Sequence, residues 1–121
     1  MISTFVHGII DYIYGVLLIA SPWLFHFNQI GAQTYVVDIV AAFVLTYGMF
    51  TKYQLSFSRS IPLKVHLLLD VVISVFLIAS PWLFKFADRV YLPHVLFGIA
   101  GLIIVVFSSA KEPENIVAKT T

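Results

Sequence analysis

The stretch from Ile2 to Phe25 contains no Lys or Arg and a single acid, Asp11. A helix that crosses a bilayer needs about 20 mainly apolar residues, and this stretch supplies them. Three further apolar segments follow, Tyr35 to Phe50, Val65 to Phe84 and Val90 to Phe107. None alternates apolar with polar residues, as the strands of a membrane barrel would. Over the 121 residues 60% are hydrophobic, 11% are charged, and mean hydropathy is +0.98. A water-soluble domain carries about a quarter charged residues, so this chain could not cover its surface in water. The expectation is an all-α integral membrane protein with four spans. The first segment lacks a basic n-region and its sequence recurs later, so it reads as a mature helix rather than a signal peptide.

The recurrence is literal. Residues 18–25 and 77–84 both read LIASPWLF, which places Ser21 and Ser80 59 positions apart. The same offset takes His7 to His66, Asp11 to Asp70, Phe27 to Phe86, Val36 to Val95 and Ala41 to Ala100. The unit is therefore two helices long, and the chain divides into repeat 1 (1–50), a linker (51–64), repeat 2 (65–110) and a polar tail (111–121). Units with an even number of spans share one orientation. That predicts two parallel-repeat helical hairpins forming a four-helix bundle, with a pseudo-two-fold axis along the membrane normal.

Within the phrase, proline lacks an N–H and disfavours helix at the residue before it. Ser21 and Ser80 are expected to cap, and Pro22 and Pro81 to open a new short turn. Trp23 and Trp82 suit the headgroup level, where an indole keeps its body in lipid and its N–H in water, with Phe25 and Phe27 along the same interface. All six residues of the two tripeptides are candidate interfacial anchors. Ser21-Pro22-Trp23 and Ser80-Pro81-Trp82, each closing the first helix of a pair, resemble the SPW-repeat family of small membrane proteins. The resemblance covers both repeats. It implies an integral membrane protein and carries over no catalytic residue.

Ionisable groups in hydrocarbon cost about 2.5–3.5 kcal/mol each on insertion scales and tend to face a bundle interior. Here His7 and Asp11, and again His66 and Asp70, stand four apart, on one face of their helices. Counting back from the SPW level at about 1.5 Å per residue puts both Asp near the midplane and both His one turn nearer the cytoplasm. Three readings of this intramembrane polar cluster stay open. It is a structural tie satisfied within each helix, or a centre for a divalent metal, or for a haem with His7 and His66 as axial ligands. Or it is a step in proton or cation movement. Cofactors remain unknown, the metal candidates being His7, Asp11, His66 and Asp70.

Asp38 and His94 form a second candidate, an outer polar site between the second and fourth helices. With His26 it would extend the cluster into a polar ladder across the membrane. Gly98 and Gly101, with Ala41 and Ala42, read as close-packing positions. Net charge is +1, with no basic field for nucleic acid. There is no cysteine, phosphate loop or nucleophile elbow, so enzyme activity is not favoured. The expected partners are the bilayer, with further copies or other membrane proteins as candidates. Lys52, Arg59 and Lys64 in the linker and Lys111 and Lys119 in the tail outnumber Lys85 and Arg89 on the other side. Both termini are therefore expected in the cytoplasm of a cell-membrane protein. The preferred function is binding or moving a proton or small cation. The alternatives are a structural or accessory subunit without chemistry and a metal- or haem-binding protein.

Overall fold

The computed structural model describes residues 2–51 and 61–108. The linker's Lys52 and Arg59, and the tail with Lys111 and Lys119, lie outside the described residues. Four helices follow in order: α1 (Thr4–Leu24), α2 (Ala32–Phe50), α3 (Leu63–Leu83) and α4 (Leu92–Val106). The all-α expectation stands. The first three are long and apolar enough to cross a bilayer. α4 has 15 residues, which spans about 22 Å at the helical rise.

Local chemistry sets the starts. The Ser3 hydroxyl accepts the Val6 N–H at 3.2 Å and caps α1. Pro62 precedes α3, and Pro93 sits in the first turn of α4, where its missing N–H leaves no bond unmade.

The ends of α1 and α3 correct the sequence expectation. Pro22 and Pro81 lie inside their helices and do not start new turns. Each proline removes the donor for the carbonyl four residues back, Leu18 or Leu77. The preceding serine replaces it: Ser21 Oγ donates to the Leu18 carbonyl at 2.7 Å and Ser80 Oγ to the Leu77 carbonyl at 2.8 Å. The helices therefore run on and close at Phe25 and Phe84 in matching left-handed caps. His26 (φ 58°) and Lys85 (φ 60°) take the left-handed position. The Phe27 N–H then reaches the Pro22 carbonyl, and the Phe86 N–H the Pro81 carbonyl, both at 2.8 Å. Phe27 is consequently buried and does not lie along an interface, while Trp23 and Trp82 are about 60% exposed (60% and 58%). Ser21, Pro22, Ser80 and Pro81 are buried.

α1 packs on α2 and α3 on α4, and the ring closes through α2–α3 and α1–α4. Leu18, Leu77, Val37, Val40, Ala41, Val44, Phe27 and Phe86 fill the interior. α4 comes close to α3 because a Cβ on Gly98 would meet the Ser74 carbonyl oxygen at 2.6 Å, and one on Gly101 the Ser74 hydroxyl. Ala42 is exposed and takes no part in packing. The outward faces are largely apolar. Val16, Phe43, Leu68 and Val106 are each more than half exposed, a surface that only lipid or protein can cover. At the end opposite the SPW turns, two short parallel bridges fasten the helix ends. The Ile2 N–H donates to the Phe107 carbonyl at 2.6 Å, and the Ile61 N–H to the Phe50 carbonyl at 2.7 Å.

Candidate functional site

Helical spacing alone puts His7 over Asp11 and His66 over Asp70. The bundle then turns both faces toward one another. His7 Nε2 lies 3.1 Å from Asp11 Oδ2 and 3.3 Å from Asp70 Oδ2. His66 Nε2 lies 2.6 Å from Asp11 Oδ2 and 3.2 Å from Asp70 Oδ2. Each imidazole thus meets both carboxylates, and the shortest contact crosses from α3 to α1. The pairs are not satisfied each on its own helix. The two rings meet edge to face with centroids 5.5 Å apart. Both His are buried, and the Asp side chains are 11% and 12% exposed.

Asp11 is the eighth residue of α1, about 10 Å from its start and about 20 Å from its end. The cluster thus sits nearer the N-terminal ends of α1 and α3 than their SPW ends.

Among the described residues, three more join the centre that spacing did not reveal. Thr51, just past α2, approaches His66 Nδ1 at 2.7 Å with its hydroxyl. Ser108, just past α4, approaches His7 Nδ1 at 2.5 Å. Tyr47 donates its hydroxyl to Asp70 Oδ1. Thr51 and Ser108 stand 57 positions apart, so the constant offset of 59 passes over their correspondence. The signal that could have found them is a hydroxyl residue closing each even-numbered apolar segment.

Beside the carboxylates lies a cavity with about 20 Å³ open to the centre of a water molecule, room for about one water. Asp11, Asp70, Tyr14, Tyr47, Ser74 and Gly101 line it. Tyr14 crosses to α4 and donates to the Phe97 carbonyl at 2.6 Å.

The outer polar site does not assemble. His94 is fully buried between Phe27 and Phe86, with ring centroids at 5.1 and 4.8 Å, and its Nε2 donates to the Gln33 carbonyl at 2.9 Å. Asp38 is exposed on the outer face of α2, and His26 is exposed in the turn. Between His94 and the cluster stands the apolar layer of Leu18, Leu77, Val37, Val40 and Val44. The polar ladder is therefore interrupted. His94 ties α4 to the start of α2, a fastening role that suits a buried imidazole with one carbonyl partner.

Four groups able to ligate a metal converge, with one ligand atom from each inside 4.8 Å. A haem does not fit between the imidazoles, because both Nε2 atoms share the same two carboxylate oxygens and leave no plane for a macrocycle. No curated protein and no solved structure matches the chain. The SPW repeat domain profile matches residues 5–111. With both tripeptides closing apolar helices, and outward faces that are largely apolar, this membrane protein belongs to the SPW repeat domain family.

Proposed function

We propose that the protein takes up small cations, protons among them, at the His7/Asp11/His66/Asp70 centre within the cell membrane. The observation that carries this reading is the crossed geometry. Two carboxylates and two imidazoles share one point inside the bundle, 2.6–3.3 Å apart, with the hydroxyls of Thr51, Ser108 and Tyr47 against them. Groups of this kind in hydrocarbon persist where they bind or relay charge. Both termini and the linker face the cytoplasm in this reading, so the centre lies nearer the cytoplasmic leaflet. Trp23 and Trp82 mark the outer headgroup level. Access to the centre comes from the linker end, where, among the described residues, Thr51, Ser108 and the backbone bridges lie over the imidazoles.

The test is purification in mild detergent with elemental analysis, followed by reconstitution into liposomes carrying a pH-sensitive dye. Wild type is expected to bind a cation or pass protons. Asp11→Asn/Asp70→Asn is expected to lose both while keeping its helical content. The cross-helix contacts also favour a second reading, a structural or accessory subunit in which the cluster ties one hairpin to the other. If the double variant loses its fold and wild type shows neither flux nor bound cation, that second reading holds.

A further inference from the structure

Each imidazole of the centre is gripped from behind by a hydroxyl whose own proton is already engaged. Ser108 Oγ donates to the Ile104 carbonyl, and Thr51 Oγ1 to the Tyr47 carbonyl at 2.6 Å. A hydroxyl has one proton to give. Both oxygens must therefore accept from the imidazoles, and each Nδ1 carries a proton. In a neutral imidazole the other nitrogen, Nε2, then presents a lone pair. Both Nε2 atoms point at Asp11 Oδ2 and Asp70 Oδ2. Four lone-pair atoms face one another, a repulsive arrangement unless positive charge lies between them.

Two neutral imidazoles and two carboxylates carry two negative charges. Two protons, wherever they sit on the four atoms, balance them. One divalent ion balances them equally. The geometry suits the ion. Ligand bonds of about 2.0–2.1 Å in a tetrahedral zinc-type site give ligand–ligand edges of about 3.4 Å. Three of the four N–O separations, 3.1, 3.2 and 3.3 Å, are near that length, and the fourth, 2.6 Å, has to open. The hydroxyls behind the imidazoles orient them as outer-shell partners do in metal sites. The Tyr47 hydroxyl holds Asp70 Oδ1 and leaves Oδ2 to the centre.

We infer that the centre binds one divalent transition-metal ion of zinc type through His7 Nε2, His66 Nε2, Asp11 Oδ2 and Asp70 Oδ2, in exchange for two protons. This deepens the cation-site reading and rests on it. The balance is closed. Two protons leave the four atoms, four metal–ligand bonds form, and the centre is electrically neutral before and after. Counted over these four groups, no net charge is left in hydrocarbon in either state, which avoids the usual penalty for a buried uncompensated ion.

The experiment uses the full chain in mild detergent with Zn²⁺ or Co²⁺ alone as probe. Calorimetry at one pH in two buffers of different ionisation enthalpy reads the protons released. The expected result is one ion bound and close to two protons released, with Co²⁺ showing the intense visible bands of a four-coordinate site. Asp11→Asn/Asp70→Asn abolishes those bands. Ser108→Ala and Thr51→Ala, which leave all four ligands in place, weaken binding about 10–100-fold at unchanged stoichiometry. Release of no protons, a six-coordinate Co²⁺ spectrum, or unchanged affinity in both hydroxyl variants overturns the exchange. Failure to bind either ion, with proton flux that needs Asp11 and Asp70, overturns the exchange but leaves the broader cation reading standing. Failure of binding and flux together overturns both.

Discussion

Ser21 and Ser80 show how much one hydroxyl decides. Each donates to the carbonyl that the following proline leaves without a partner, and the helix continues for another turn. Removing the donor alone strands a buried acceptor, which costs about 1–3 kcal/mol. Ser21→Ala is therefore expected to lower stability in detergent by about 1 kcal/mol or more. In a Pro22→Ala background, where the backbone N–H returns, the same change is expected to cost little. A thermal or denaturant double-mutant cycle measures the difference. The four acidic and basic residues of the cluster were legible from spacing, because four-apart pairs and a twice-written phrase both survive in a linear string. Thr51, Ser108 and Tyr47 were not, because they act across helices and their register departs from that of the phrase. The proline rule failed at Pro22 and Pro81 for a local reason. It treats the lost N–H as unreplaced, and the neighbouring serine replaces it.

At the scale of elements, α3 and α4 meet through missing side chains. A Cβ on Gly98 would come within 2.6 Å of a backbone oxygen of α3, which cannot rotate away. Gly98→Val is expected to push the helices apart and cost about 1–3 kcal/mol. Gly48→Ala meets open space in α2 and is expected to cause no loss. Thermal unfolding of the two variants in the same detergent checks the contrast. The existence and order of the four helices followed from apolar segments alone, since length and the absence of charge are properties of the string. The close-packing role of Gly98 and Gly101 was also readable, whereas Ala42 looked equivalent to Ala41 and is not. Successive residues turn 100° on a helix, and Ala42 lies one step past the buried face that Val40 and Ala41 share.

On the whole-molecule scale, the described helix ends sort into two sets. The SPW turns occupy one end, and Ile2, Thr51, Ile61 and Ser108 gather at the other. The chain has no cysteine, so single introduced cysteines report position without background. Asn28→Cys and Asp88→Cys are expected to react with an impermeant maleimide from outside intact cells. Lys64→Cys is expected to react only after permeabilisation. The reverse pattern would invert the orientation proposed above. The paired bridges carry one more consequence. Ile2 adjoins Ser108 as Ile61 adjoins Thr51, so the start of each hairpin is stitched to the finish of the other. Among the described residues, these two stitches already set which hairpin ends meet. A circular permutant that joins the region after Ser108 to Ile2 and is cut between Thr51 and Ile61 is expected to build the same bundle. So are the two hairpins expressed as separate chains, with co-purification in detergent as the measurement.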